Sequence, residues 1–245
     1  MDENIPFDQI QNFFQNFKGD INIINEKIDI ALQMEYFEMS KTVKADAEIL
    51  EWDEKAEMLF AENMLIETKR KILVQLASVD DVGAYRAIEK YSKKPDKDLK
   101  HWSILALQES RMLLQSKLLD QSQIFISTGL GGKENKLRYF FALFTRNNES
   151  FTEFQQKVIR DEFSYVFKKK DSEIEVIQAY GDIVTLVSLV PINIPVQDVF
   201  KAAVEECNQY GNFIKENCII TNVRIMTEHE IREFIQLPEN NKEKE

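Results

Sequence analysis

The spacing of apolar residues divides the chain into two halves of different period. From residue 6 to about 118 they recur every three or four positions, the signature of amphipathic helices. Ile10, Phe13, Phe14 and Phe17 follow Pro6 and stop at Gly19. A second helix is expected from about Asn22 to Ser40, with Ile24, Ile28, Ala31, Leu32, Glu35 and Met39 near one face. A third begins near Asp46 or Asp53 and carries Ala56, Leu59, Phe60 and Met64. Ile72, Leu73, Leu76 and Ala77 make the next, ended by Ser78-Val79-Asp80-Asp81, a break able to cap the helix holding Val82, Tyr85, Ile88 and Tyr91. Pro95-Asp96 ends that helix, and a last one spans roughly residues 98–117. Helices with short connections pack antiparallel and bury their stripes by stacking.

At Gln123 the period changes to that of strands. Ile124–Thr128 is a short strand signal, followed by Gly129-Leu130-Gly131-Gly132-Lys133. Strands are then expected at Leu137–Thr145, Glu173–Tyr180, Ile183–Val190 and Cys218–Met226. One helix opens at Ser150-Phe151-Thr152-Glu153, which has capping-box spacing, and runs to about Lys170. Another carries Val196, Val199, Phe200, Ala203, Val204 and Cys207 and stops near Gly211. Thr227-Glu228-His229-Glu230 has capping-box spacing too and starts a short helix with Ile231, Phe234 and Ile235.

The order from Leu137 to Met226 is therefore β-α-β-β-α-β, which resembles the ferredoxin-like fold. Its two central strands should be apolar and its edges polar. Leu137–Phe144 and Ile183–Val190 are apolar on both faces apart from Arg138 and two hydroxyls, while Glu173, Glu175, Gln178, Thr221, Asn222 and Arg224 mark the outer strands. Two helices cover one face of four strands, so the second face, with Phe140, Ala142, Phe144 and Val187, needs its own cover. The helical half or the terminal helix, a second copy, and a ligand or foreign partner are all open.

In the first half, Asp80–Leu114 resembles a HEAT-type helical hairpin, on Pro95-Asp96-Lys97-Asp98-Leu99-Lys100-His101-Trp102-Ser103-Ile104-Leu105-Ala106-Leu107. Trp102-Ser103 departs from the small residues usual there. The resemblance implies a scaffold of packed helix pairs that holds another protein. As a whole the chain resembles uncharacterised cytoplasmic proteins of Bacteroidota, on Ala106-Leu107-Gln108-Glu109-Ser110-Arg111 and Gly129-Leu130-Gly131-Gly132-Lys133, a resemblance that implies no function. The expected fold class is α+β: a helical, HEAT-like domain over 1–120, a ferredoxin-like domain over 121–236 with an added leading strand and terminal helix, and a disordered tail over 237–245.

Composition narrows the chemistry. The 245 residues carry 31 basic and 42 acidic side chains, a net charge of -11. Residues 1–120 hold 16 basic against 23 acidic groups and residues 121–235 hold 13 against 16, so neither half is basic. On that ground nucleic acid and membranes are not expected partners. Cys207 and Cys218 are the only cysteines and show no metal or redox spacing, which suits a reducing, cytoplasmic setting. No signal peptide or membrane span is read.

His101 and His229 are the only histidines, and neither has a second ligand at metal spacing. No metal, cofactor or catalytic constellation is therefore expected. Backbone N–H groups at Gly129, Gly131 and Gly132, with Lys133, Lys136 and Arg138, make a candidate anion or ligand loop, against the plainer reading of a strand connection. Arg138-Tyr139-Phe140-Phe141 has the makings of an RNA-stacking strand but reads more simply as core. Gln108-Glu109-Ser110-Arg111 places polar groups inside an oily helix and is a candidate inter-domain contact. The reading is a non-enzymatic interaction scaffold binding another protein or itself, a homodimer through the sheet face being one open form of the latter. The alternative is a small-molecule or anion sensor at Gly129–Lys133.

Overall fold

The protein is α+β. Its structure, a computed structural model, describes residues 20–45, 52–61, 63–119 and 123–236. The expected helix from Pro6 to Phe17 and the tail from 237 lie outside those residues. The described chain forms two compact units, a helical one of Ile28–Ile126 with residues 20–22, and a sheet one of Ile23–Lys27 with the described chain from Ser127 on.

In the helical unit β1 (Asp20–Ile23) pairs with β2 (Gln123–Ile126) as a two-stranded sheet, and Asn22 Nδ2 donates to Gln123 Oε1 at 3.1 Å. Both elements correct the sequence reading. Residues 20–23 were expected at a helix start, and 124–128 as an addition to the main sheet. Helix α1 (Ile30–Ala45) begins later than expected because the Asp29 carboxylate accepts from the Ala31 N–H at 2.8 Å and caps it. Then come α2 (Trp52–Leu59), α3 (Ile66–Ala77), α4 (Val82–Ser92) and α5 (Lys100–Leu119). Asp81 caps α4 through the N–H groups of Gly83 and Ala84.

The core of this unit gathers round Trp102, which is wholly buried with Leu73, Leu76, Ile88 and Leu99. Its indole Nε1 donates to the Arg70 carbonyl at 3.1 Å, and the Arg70 guanidinium lies over its ring at 4.8 Å. The polar run in α5 turns into this unit's own packing. Glu109 accepts from Tyr36 Oη at 2.6 Å and Ser40 Oγ at 2.7 Å, and Ser110 is fully buried. Burial and the Glu109 carboxylate both push the Tyr36 hydroxyl well above the usual tyrosine range.

In the sheet unit β3 (Gly132–Lys133) and β4 (Lys136–Phe144) form a tight hairpin, followed by α6 (Glu153–Lys169), β5 (Glu173–Tyr180), β6 (Ile183–Pro191), α7 (Val196–Asn208), β7 (Ile219–Thr221) and α8 (Glu228–Gln236). All strand pairs are antiparallel. β4 and β6 are central and pair over nine positions, with Phe140 opposite Val187 and Phe141 opposite Leu186. β5 flanks β6, and β7 flanks β4. The last strand is much shorter than expected, since only Ile219–Thr221 join the ladder. The cap of α6 is Thr152 with Gln155, two residues beyond the expected box.

Alternation assigns the faces. Phe141, Leu143, Val184 and Leu186 face α6 and α7 and meet Phe163, Phe167 and Phe200. Phe141 stacks on Phe200 with ring planes 8° apart. The opposite face, Phe140, Ala142, Ile183 and Val187, packs under Ile231 of α8 and Leu130 of the glycine segment. Of the covers left open for the second face, the terminal helix is the one packed on it, through Ile231, and Phe140, Ala142 and Ile183 are out of water.

Candidate functional site

The glycine segment is a seam rather than an open cradle. The N–H of Leu130 donates to the Asn222 carbonyl at 3.0 Å, that of Gly131 to Thr128 at 3.2 Å, and that of Gly132 to Ile24 at 2.8 Å. The Gly131 and Gly132 donors that an anion would need are therefore taken by backbone carbonyls. Gly131 has φ +65°, and a Cβ at Gly129 would overlap the Val223 carbonyl, so close backbone approach explains the glycines.

The neighbouring cations are paired as well. Arg138 donates from Nε and Nη2 to Glu175 at 2.6 and 2.8 Å, and from Nη1 to the Leu130 carbonyl at 2.8 Å. Lys136 holds Glu173 at 2.9 Å and Asp171 at 3.3 Å. Lys133 is exposed.

The Arg138–Glu175 fork gives a pH prediction. Arg138 holds the Glu175 carboxyl below the ordinary glutamate range. A depressed folded-state value adds stability above the unfolded-state pKa of about 4.3, and that addition disappears as pH falls through the lower folded value. Melting of the sheet unit should therefore drop on acidification below roughly pH 5, with a shallower drop in Glu175→Gln. Parallel pH–melting curves for the two chains would refute this coupling.

A different place in the sheet unit has the shape of a binding site. A cleft of about 520 Å³ opens at the end of the sheet, between the last residue of β4, the connection from α7 to β7, and α8. Phe144, Ile219, Phe234 and Ile235 give it apolar walls. Asn148, Asn217 and Gln236 supply amides, Lys215 and Arg232 cations, and Asp182 and Cys218 complete it. A volume of this size lies in the ordinary range for small ligands.

Its walls are held by backbone bonds. The Lys215 N–H donates to the Phe144 carbonyl at 2.9 Å, that of Arg146 to Phe213 at 2.8 Å, and that of Thr145 to Asp182 at 3.1 Å. The Asn208 amide clamps Ile214 from both sides, accepting its N–H at 2.9 Å and donating to its carbonyl at 3.1 Å. Lys215 Nζ donates to Asn148 Oδ1 at 2.7 Å, and Asn148 sits at φ +61°, a conformation that asparagine tolerates.

On the α8 side Thr227 and Glu230 form the expected reciprocal cap. The Thr227 N–H donates to Glu230 Oε2 at 2.7 Å and the Glu230 N–H to Thr227 Oγ1 at 3.3 Å. These bonds and Arg224 pull the Glu230 carboxyl down to about 2. Arg232 Nη2 donates to Asp182 at 2.8 Å and lies 2.9 Å from Glu228, holding the Asp182 carboxyl below its usual range.

Burial pushes the Cys218 thiol up to about 12, so it stands in the cleft as a neutral thiol rather than a nucleophile. His229 lies 3.3 Å from Glu233 on the exposed side of α8. Among the described residues no group of three His, Cys, Asp or Glu side chains is placed to hold a metal ion, and no helix is long and apolar enough to cross a membrane.

Sequence reasoning missed this cleft. Its residues come from five separate segments with no shared motif. The one usable signal was Phe234 and Ile235 beside Ile231, an apolar surplus on a short terminal helix.

No family model matches the chain, and no curated protein matches it. Among solved structures it is similar to a putative transposase from Deinococcus radiodurans R1, at 15% identity and a TM-score of 0.37, over 45% of this chain and 94% of that one. It is also similar to a REP-associated tyrosine transposase bound to a REP hairpin, at 11% identity and a TM-score of 0.33, over 41% of this chain and 64% of that one. These likenesses assign no activity to the chain.

The expectation of a non-enzymatic scaffold with protein partners and no nucleic acid is corrected only so far as these neighbours differ from it: both are transposases, and one is bound to a REP hairpin. Net charge summed over a half of the chain does not describe the charge at any one place on its surface.

Proposed function

We propose that the sheet unit binds single-stranded nucleic acid and takes one nucleotide of the strand into the cleft between β4, β7 and α8. The observation that carries this reading is the composition of the cleft. Phe144 and Phe234 offer apolar faces to a base. The amides of Asn148, Asn217 and Gln236 match base edges, and Lys215, whose Nζ among the described residues is bonded only to the neutral Asn148, suits a flanking phosphate, while Arg232 is held by Asp182 and Glu228. A base within a duplex could not enter such a cleft without leaving its stack, so an unpaired strand fits best. The acidity of the whole chain, -11, favours the same choice, because single strands carry charge less densely than duplexes. On the fold, we read the strand order β7-β4-β6-β5 as the ferredoxin-like layout and the α4–α5 pair as a HEAT-type hairpin.

The test is anisotropy of a fluorescein-labelled single-stranded decamer. Phe234→Ala should weaken binding by about 1–3 kcal/mol, the usual contribution of one base stack. Lys215→Glu should weaken it at least about tenfold and lower the salt slope by roughly one unit. Both residues are partly exposed, so circular dichroism should show both variants folded. A decamer that does not bind the native chain, or binds both variants equally well, refutes the reading.

A further inference from the structure

The helical unit carries a concentrated positive surface that its acidic composition conceals. Between Lys90 and Lys100, the end of α4, the turn and the start of α5 hold Lys90, Lys93, Lys94, Lys97 and Lys100, all exposed, against Asp96 and Asp98. We propose that this turn is a sequence-independent docking surface for the phosphate backbone of duplex nucleic acid. The proposal concerns a second site on the other unit and does not rest on the cleft.

Three observations carry it. First, two of the three acidic groups in reach are already paired, and among the described residues Asp98 alone stands exposed and unpaired beside the five lysines. Asp96 accepts from the buried Lys69 at 2.7 Å and from Tyr91 Oη at 2.6 Å, and Glu89 is paired with Arg86 at 2.7 Å. Among the described residues Lys93, Lys94, Lys97 and Lys100 stand in no ion pair.

Second, the turn is built rather than loose. The Lys94 N–H donates to the Tyr91 carbonyl at 3.0 Å and that of Leu99 to Asp96 at 2.9 Å. Leu99 is wholly buried beneath the turn. The lysines are thus displayed from a fixed backbone, which lowers the ordering entropy that binding must overcome.

Third, the placement runs against helix electrostatics. Lys97 and Lys100 sit at the N-terminal end of α5 with only Asp98 between them to offset their charge, where the helix's own positive pole disfavours cations. Such a concentration favours a polyanion, and a duplex offers one with regularly spaced phosphates. An anionic membrane fits less well, since a helix that lies on a bilayer inserts an apolar face. No large hydrophobic side chain between Arg86 and His101 is exposed.

The experiment measures binding of the full chain to a labelled 20-base-pair duplex from 50 to 200 mM NaCl, with the single-stranded decamer and phosphatidylserine vesicles alongside. A variant with Lys93→Gln, Lys94→Gln, Lys97→Gln and Lys100→Gln should lose at least about tenfold in duplex affinity, and its salt slope should fall by roughly three to four units. The matching fourfold Lys→Arg variant should retain duplex binding, which separates charge from misfolding. Decamer binding should be unchanged in the Gln variant, while Lys215→Glu should affect the decamer and spare the duplex. Native-level duplex binding by the Gln variant overturns the proposal. So does a native chain that ignores the duplex, whether or not it binds vesicles.

Discussion

An Ile231→Asp chain is expected to lose about 3–5 kcal/mol of stability in its sheet unit. Ile231 is wholly buried and is the residue of α8 that meets Phe140, Ala142, Ile183 and Val187. Aspartate there removes most of the apolar contact and places a carboxylate against a surface that offers it no partner. The helix has little else to hold it by burial, since Ile231 is its only fully buried residue. Release of α8 would uncover the second sheet face and dismantle one wall of the cleft together. Urea unfolding followed by circular dichroism should show the lost stability, dye binding to apolar surface should rise, and decamer binding should disappear. Ile231→Val, by contrast, should cost only about 0.5–1.5 kcal/mol and spare binding. An aspartate variant that unfolds at the native urea concentration would show that α8 does not cover the sheet.

Trp102→Ala should destabilise the helical unit by a similar amount, about 3–5 kcal/mol. The indole is buried between α1, α3 and α5. Its ring meets Tyr36 edge-on at 5.2 Å, lies beneath the Arg70 guanidinium, and donates its N–H to the Arg70 carbonyl. Truncation leaves a large cavity, deprives that carbonyl of its donor and removes the face on which the guanidinium rests. Trp102→Phe isolates the hydrogen bond from the volume and should cost roughly 1–2 kcal/mol more than ring size alone explains. The sheet unit should be unaffected, so an oligonucleotide held by the cleft should bind Trp102→Ala as it binds the native chain at temperatures where the sheet unit is folded. A small loss of stability in Trp102→Ala, under about 1 kcal/mol, would contradict the packing described.

Much of the fold was legible from periodicity. The period-two runs at 137–144 and 183–190 are apolar on both faces because they are the two central strands, and the alternation alone separated Phe141 from Phe140. The need for cover over Phe140 and Val187 could be read from the same residues, although what supplies it, Ile231 with Leu130, depends on where the chain returns in space. Short strands were less legible. Residues 20–23 and 123–126 pair with each other across a hundred positions, and nothing local marks a ladder formed at that separation. The last strand was overestimated because Asn222–Met226 is β-prone in composition but leaves the ladder, with the Asn222 carbonyl accepting the Leu130 N–H instead.

The candidate site was the least legible part. Glycines at 129, 131 and 132 form a local pattern, and local patterns are what a sequence displays. Their role is close backbone packing, which the pattern alone does not distinguish from anion binding. Lys215, Asn148 and Phe234 are scattered, and only the ladder of Phe144 to Lys215 and the seat of α8 bring them together. Trp102-Ser103 departs from the helical-repeat pattern for a physical reason: the indole has a buried acceptor at the Arg70 carbonyl, and Ser103 Oγ donates to the Lys100 carbonyl at 2.8 Å. The basic turn was visible residue by residue, but totals for whole halves hid it.

Amide chemical-shift mapping of the full chain during titration with an unlabelled single-stranded decamer tests the central claim most directly. The account predicts the largest shifts at Asn148, Lys215 and Asn217 and along α8 at Arg232–Gln236, with the glycine segment 129–132 little changed. Shifts centred on Gly129–Lys133, or no shifts at all at saturating strand, would contradict it.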